Sequence, residues 1–417
     1  MIHGPSMMQE HSAMIRKIQF SPPDITQAEI DEVVDTLRSG WITTGPKTKQ
    51  FEREITTYCG SSRTACLNSA TAGMELLLRM FDIGPGDEVI TTAYTYTATA
   101  SVILHCGATP ILVDIKADDF NIDPAHIEDA ITARTKAIIA VDIAGMPADY
   151  DEILEIVDSH RHKFSPAIGT LQETLGRIVV IADGAHSLGA RYRGRMSGSA
   201  ADFTVFSFHA VKNLTTAEGG AVTWRNHSVL DDDEIYRQIM LLSLHGQTKD
   251  ALEKTQSGSW EYDIEIPGWK HNMADLNAAM GLAQLRRYDA EILSGRKRIA
   301  TQYHESLAVN DRFNVPLLRT EDKETSYHLY LLRIEGYGVE ERDDLIRALA
   351  ERGIPTNVHY KPLPMFTAYR GLGYLPEDHP VAMSTYASEI TLPLHTLLDD
   401  HDVDHITTSL LDEVHGR

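Results

Sequence analysis

Between residues 64 and 224 short apolar runs alternate with longer amphipathic stretches, and this alternation restricts the chain to few folds. The runs fall at 64–67, 88–91, 110–113, 137–141, 178–182, 203–208 and 221–224, and the intervening stretches at 72–81, 97–106, 125–131 and 149–160 have helical spacing. A strand apolar along its whole length is covered on both faces, and strands that alternate with helices pair mostly in parallel. The pattern therefore predicts an α/β fold with a large, mostly parallel sheet. Ahead of it, 27–37 and 47–58 read as helices separated by a Gly/Pro loop at 39–47. Behind it, 273–292 reads as a long helix crossing to a second, smaller α/β unit, with a strand at 328–334, a helix at 341–352 and a last helix from about 399. The expected division is a flexible extension at 1–17, a large domain at 18–272, and a crossing helix with a small C-terminal domain at 273–417. Residues 160–177 are longer than an ordinary connection and read as a surface insertion, while the polar stretch 246–263 has the composition of a mobile loop.

Composition excludes several classes of function. The chain of 417 residues has 38 basic against 60 acidic side chains, a net charge of −22. Nucleic-acid binding needs a basic face to replace counterions, so no nucleic-acid partner is expected. Three cysteines, at 59, 66 and 106, make neither a disulfide framework nor a metal-binding CxxC pair, and no HExxH pattern occurs. No metal is expected. The start lacks the apolar core of a signal peptide and no run has transmembrane length, so the expectation is a cytoplasmic protein without membrane association.

Chemistry is concentrated in the segment 202–224. Lys212 sits in a short loop between two strand-like runs, with Ser207 and His209 ahead and Glu218-Gly219-Gly220 behind. Burial there would favour a neutral amine, able to form a Schiff base with a carbonyl or with pyridoxal phosphate. A lone loop lysine is more often a plain surface residue. Asp183 follows the apolar run 178–182, at the carboxyl end of a strand, where open α/β sheets place their ligands. There it serves either as a helix cap or as a charge partner for a protonated ring nitrogen. Ser69-Ala70-Thr71 precedes a helix, a position suited to phosphate as well as to ordinary capping. Tyr96, in AYTYTAT, is either a core tyrosine or a flat cover for a ring.

Taken together, SFHAVKNLTTAEGG (207–220), DGAH (183–186) and SAT (69–71) resemble the motifs of the DegT/DnrJ/StrS family of pyridoxal-phosphate sugar aminotransferases, a likeness that runs from about Ile18 to the C-terminus. Within it, the sequence is most similar to enzymes that aminate C4 of a UDP-linked 4-ketopentose or related 4-ketohexoses. The resemblance implies the fold-type I architecture of PLP-dependent transferases. It also implies pyridoxal 5′-phosphate bound covalently to Lys212, with pyridoxamine phosphate as the intermediate form. Asp183 would partner the ring nitrogen and His186 would lie near the phenolic oxygen. Tyr96 would stack on the ring, and Ala70, Thr71 and Ser207 would hold the phosphate. The family completes that cup from a neighbouring subunit, here with Lys270 or Asn272 of the stretch GWKHN (268–272), which implies a homodimer with shared sites. Gly184 stands where alanine is commoner, and His271 where an aromatic residue is usual.

The expected reaction moves an amino group from L-glutamate or glutamine to a nucleotide-linked ketosugar. Lys212, Asp183 and His186 are the catalytic candidates, and Lys212 would also move protons as general acid and base. The acceptor pocket is expected from the loop 41–47 with Thr44, the insertion 160–177 and His359-Tyr360-Lys361. Two alternatives are a pyridoxamine-phosphate sugar dehydratase of the same family, whose members carry histidine at the lysine position, and a PLP-binding regulator without turnover.

Overall fold

The computed structural model describes residues 17–249 and 261–416. The extension before residue 17 and positions 250–260 of the polar stretch lie outside the described residues. The strands are β1 (Arg63–Leu67), β2 (Glu88–Thr92), β3 (Thr109–Val113), β4 (Thr135–Val141), β5 (Val179–Asp183), β6 (Arg191–Tyr192), β7 (Arg195–Met196), β8 (Phe203–Ser207), β9 (Gly220–Trp224), β10 (Phe313–Asn314), β11 (Lys323–Glu324), β12 (Tyr330–Ile334) and β13 (Glu389–Leu392).

Every apolar run between 64 and 224 is a strand of one seven-stranded sheet, in the order β1-β9-β8-β5-β4-β2-β3. The pairs β2–β3, β2–β4, β4–β5 and β5–β8 are parallel, and β9 runs against both β8 and β1. Residues of alternate strand faces enter two different cores. Leu76, Leu77, Val89, Val102, Ile139, Ile181, Val205 and Val222 pack on one side, and Ile90, Ile138, Val157, Val180 and Ala182 on the other. This double coverage is why the strands lack polar alternation.

The helices start and stop where local chemistry dictates. Thr26 caps Gln27–Ser39 in a capping box with Glu29, and Gly40, at φ 76°, ends it. Pro46 opens Pro46–Cys59. The crossing region is broken where the sequence suggested one continuous helix. Asp275–Arg286 is α-helical, Tyr288–Leu293 is a π turn, and Ser294–Leu307 continues. The first part joins Phe51, Ile55 and Phe208 in one core, and the last part joins a separate core with Tyr330, Leu332, Leu345, Ile390, Ile406 and Leu410. That second core covers the antiparallel sheet β10-β12-β13, and it includes Ile18, whose N–H donates to Gly353 O at 3.1 Å. The chain's first described residues thus pack with its C-terminal elements. The sequence pattern missed β13 because it continues directly from the helix Pro380–Ser388 with no turn residue between them.

One carboxylate anchors the helix that precedes β1. Asp275, 1% exposed, accepts from Gly45 N (2.8 Å), Thr48 N (2.9 Å), Lys47 N (3.0 Å) and Thr48 Oγ1 (2.7 Å). Pro46 has no N–H, so this one group satisfies the donors at the start of Pro46–Cys59. Asp275→Asn turns an acceptor into a donor facing donors. It should cost about 2 kcal/mol, read as a lower urea midpoint with unchanged slope. An unchanged midpoint would show that the carboxylate does not anchor the helix.

Candidate active site

Strand direction brings the functional side chains to one edge. The carboxyl ends of β2, β4, β5 and β8 lie together because these strands are parallel, and open α/β sheets bind ligands at that edge. Since β9 is antiparallel, its beginning reaches the same edge: Gly220 pairs with Ser207 on one side and Leu67 on the other. The segment after β1 therefore meets the loop between β8 and β9. Here a cavity of about 790 Å³ is lined by Ala70, Thr71, Tyr96, Asp183, His186, Ser207, Lys212 and the run 357–361, among others. Two other cavities, of about 310 and 20 Å³, surround Asp119 and Leu317 and contain none of these groups.

At the cavity wall the helix Ala70–Met80 begins. Its cap Ser69 accepts from Ala72 N at 3.1 Å, which leaves the amides of Ala70 and Thr71 without an intrahelical partner. Gly220 makes this possible: a Cβ there would stand 2.5 Å from Ala70 N and 2.5 Å from Ser69 C. Only glycine lets strand and helix start approach so closely. Gly184 is similarly confined, with Thr204 Cγ2 2.8 Å from where its Cβ would be.

Lys212 is partly buried, and its amine has no hydrogen-bond or ion-pair partner among the described residues. Desolvation lowers its pKa from 10.5 to about 8, against the opposing pull of Asp183. Asp183, 5% exposed, is raised by burial and held down by a hydrogen bond from Thr99 Oγ1 to Oδ2 (2.8 Å) and one from Ala185 N to Oδ1 (3.2 Å). Its second role, capping, is thus filled only by the Ala185 bond. A neighbouring carboxyl, Asp142, is raised by burial to about 6, but its Oδ1 is engaged by Ala148 N and Tyr150 and it does not line the cavity.

His186 is neutral. Burial, then the charge of Lys212, then His359 push its pKa well below 6.5. Its Nε2 lies 3.1 Å from Tyr360 Oη, and its Nδ1 is buried without a partner. His359, lowered to about 4 by burial and Lys212, is fixed through Nδ1 to Thr391 Oγ1 at 2.9 Å, and its carbonyl accepts from Tyr94 Oη at 2.8 Å. Tyr96 exposes 63% of its surface and faces Tyr360 at a centroid distance of 6.4 Å. Lys361 Nζ stands 5.0 Å from the Phe366 ring centre at the cavity rim.

Thr44, Lys270 and Asn272 are not in this cavity within their own chain. Asn272 Nδ2 donates to Thr44 Oγ1 at 2.6 Å, and Thr44 in turn donates to Met273 O. The stretch runs along β1, the edge strand of the sheet, with Asn68 N donating to His271 O at 2.7 Å. Nor does the insertion 160–177 reach the cavity. It ends at Arg177, which grips Asp202 at the beginning of β8 (2.6 and 2.7 Å), and Gln172 Nε2 donates to Phe81 O at 2.7 Å. Those anchors lie at the opposite edge of the sheet, so the expectation that this segment lines the pocket is corrected. Sequence reasoning missed Thr99, Asn357, Phe366 and Tyr369. A hydroxyl three residues after Tyr96 was a weak signal for Thr99; the others arrive from far along the chain and left none.

The residues fit a pyridine-aldehyde phosphate: unpaired helix-start amides, a desolvated amine, a buried carboxylate and an orphaned imidazole nitrogen share one cavity. Comparison with known proteins agrees. The sequence pattern of the DegT/DnrJ/EryC1/StrS aminotransferase family matches residues 23–411. The spore coat polysaccharide biosynthesis protein SpsC of Bacillus subtilis is 39% identical over 403 residues, covering 96% of this chain and 97% of that protein. The putative sugar aminotransferase Spr1654 of Streptococcus pneumoniae, solved in a PMP form, superposes with a TM-score of 0.92 at 53% identity, covering 96% and 99% of the two chains. Its PLP form gives 0.92 at 51% identity over the same shares. Helicobacter pylori PseC, an aminotransferase involved in pseudoaminic acid biosynthesis, gives 0.84 at 29% identity, covering 96% and 100%. With its large mostly parallel sheet and this edge site, the chain has the fold of the PLP-dependent sugar aminotransferases and belongs to the DegT/DnrJ/EryC1/StrS aminotransferase family.

Proposed function

We propose that this protein is a pyridoxal-phosphate aminotransferase that moves an amino group from an amino acid, L-glutamate or glutamine, to a nucleotide-linked ketosugar. The observation that carries it is the unpaired, desolvated Lys212 sharing one cavity with the buried Asp183. The relatives' names support the sugar: one serves polysaccharide biosynthesis and another is a putative sugar aminotransferase. Pyridoxal phosphate supplies, when bound, the electron sink that lets an amino group change carbon.

The chain's own residues do the rest. Lys212 Nζ would hold the cofactor covalently and, when free, would serve as the base that takes the proton from the donor's Cα. Asp183 keeps the ring nitrogen protonated, and Thr99 keeps Asp183 oriented. The amides of Ala70 and Thr71, with the Ser207 hydroxyl, bind phosphate at the helix start. Tyr96 would cover a face of the cofactor ring and exclude water, and the unpartnered His186 Nδ1 would face its ring oxygen. His359, Tyr360 and Lys361 form the substrate wall. A dehydratase of this family lacks the lysine, so Lys212 favours amination. Three free, buried cysteines suit a cytoplasmic setting.

Borohydride reduction of the holoenzyme should fix cofactor on the peptide containing Lys212, and prior incubation with glutamate should prevent that labelling. Label on another lysine, or labelling that no amino acid prevents, would overturn the proposal. Lys212→Ala should lower turnover by about 10⁴-fold or more without loss of fold.

The pH sign follows from desolvation. Below about pH 8 the Lys212 amine is protonated, and above it is neutral. In the cofactor-free protein its acylation by a small amine-selective reagent should rise through about pH 8, and Asp183→Asn should move the midpoint lower by removing the charge that favours the ammonium. A midpoint at the ordinary 10.5 would mean that the amine is solvated.

The position of 268–272 beside the edge strand β1, outside its own cavity, supports a homodimer in which Lys270 or Asn272 completes the partner's phosphate cup. Complementation tests it. Lys212→Ala and Lys270→Ala/Asn272→Ala should each be inactive as homodimers. Mixed and re-formed, each heterodimer should hold one intact site and regain activity. No recovery, with heterodimer formation verified, would exclude shared sites.

A further inference from the structure

His328, buried behind His186, has none of the cofactor or substrate roles assigned above. Its ring centre is 4.3 Å from that of His186, with the planes 33° apart. Its Nδ1 lies 2.9 Å from Asn213 Oδ1, and Asn213 Nδ2 donates to Ser326 O at 2.8 Å. A carbonyl oxygen only accepts, so the amide nitrogen of Asn213 must face Ser326 and its oxygen must face His328. The imidazole must then carry its proton on Nδ1. Burial, then the surrounding His186, Lys212, Arg296 and His359, hold the ring well below its ordinary pKa, so it stays neutral.

The frame around His328 is rigid. Buried Arg296 donates from Nε to Tyr327 O at 2.9 Å and from Nη2 to His328 O at 2.6 Å. His328 N reaches Ala144 O at 3.3 Å, and Ser326 N reaches Gly145 O at 3.1 Å. Ser326 Oγ donates to the His186 carbonyl. Gly145, at φ 94°, has no room for a side chain, since a Cβ would stand 2.1 Å from Ser326 Oγ. The segment 325–328 thus touches the turn after β4, the His186 backbone and ring, and the residue next to Lys212.

We propose that His328 is a positioning residue: its fixed Nδ1–H tethers Asn213, and hence the backbone of Lys212, in register with the His186 ring against which it packs. A lysine that is attached and released in every turnover must return to the same place, and a reach set by backbone position is lost with small displacements. Asn213 ties the lysine loop to the C-terminal segment; the bonds Lys212 N to His209 O and Thr216 N to Phe208 O are internal to the loop, and its further outside ties, Ser21 Oγ to Val211 O (3.3 Å), Thr215 N to Gln284 Oε1 (3.4 Å) and Asn277 Nδ2 to Thr216 O (2.8 Å), reach neither His186 nor the 325–328 segment.

The proposal rests on the role given to Lys212, and the test separates the two. In the full-length cofactor-free protein, ¹⁵N-resolved NMR should show His328 as the Nδ1–H tautomer alone from about pH 6 to 9. Asn213→Ala should release it to a tautomer mixture. A mixture, or a ring that titrates in that range, in the parent protein overturns the proposal. In the holoenzyme, His328→Phe keeps a ring but no donor. It should slow the half-reaction with the amino donor by about 10–100-fold with KM nearly unchanged. His328→Asn, which places an amide N–H where Nδ1–H was, should recover most of that rate. Equal losses in both variants, at unchanged melting temperature, would show ring packing alone to matter and overturn the tether; so would no loss in His328→Phe. Failure to recover cofactor on Lys212 after borohydride, with the NMR as expected, would instead sink the role of Lys212 and leave the Asn213–His328 tether standing.

Discussion

The approach of Gly220 to the Ala70 amide sets the geometry on which the rest of the site depends. Because β9 is inserted antiparallel between β8 and β1, the loop that carries Lys212 and the helix start at Ala70–Thr71 meet across a single strand's width. A Cβ at 220 would collide with both Ser69 C and Ala70 N, so the amine and the helix-start amides share a cavity only with glycine there. The sheet's other carboxyl ends then deliver Asp183 and Tyr96 with no further adjustment. Strand polarity does the assembling, and no residue has to be brought far out of its element.

Desolvation then decides the protonation states, and it acts in opposite senses on acids and bases. It pushes Lys212 down to about 8 and His186 well below its usual value, while it pushes Asp183 up. For Asp183, two hydrogen bonds and the lysine charge oppose burial, so donors and charge are gathered on the carboxylate itself. For His186 an acceptor or an anion would be needed to oppose burial; its Nδ1 has no partner, and the Lys212 charge works in the same direction as burial. The result is a cavity in which the desolvated amine of Lys212 stands with the supported carboxylate of Asp183, which suits a bound group that brings its own phosphate charge and its own ring nitrogen.

Much of the fold was legible because its signal is local. The strands at 64–67, 88–92, 109–113, 135–141, 179–183, 203–207 and 220–224 announce themselves as apolar runs, and the expected positions agree to within a residue or two. Asp183 and Lys212 were legible for a related reason: Asp183 directly follows such a run, and Lys212 lies in the short loop between two of them. Thr99 and His328 were not, since their partners lie 84 and 115 positions away in sequence. The break in the crossing helix was also invisible, because Tyr288–Leu293 keeps helical spacing while it changes to a π turn. The insertion 160–177 misled for a different reason: length and polarity mark a surface segment but do not say at which edge of the sheet it lies.

The far wall of the cavity shows why a second sheet is needed at all. His359 is held from three sides by elements distant in sequence: its N–H donates to Glu389 Oε2 at 2.9 Å, its ring meets Thr391 on β13, and its carbonyl takes the Tyr94 hydroxyl. Thr391 Oγ1 is in turn 2.6 Å from Glu389 Oε1, and burial raises Glu389 to about 8. A buried carboxyl of that kind is costly unless its hydrogen bonds are filled, and here they are filled by the residues that shape the cavity. The polar network therefore fixes where the 357–361 wall stands relative to β2, while the apolar core around Tyr330 and Ile390 supplies the cohesion. Cavity shape at the 357–361 wall is set by the C-terminal elements, while Asp183 and Lys212 come from the large sheet and its β8–β9 loop. Tyr360, bonded to His186 across the gap, is where the two meet.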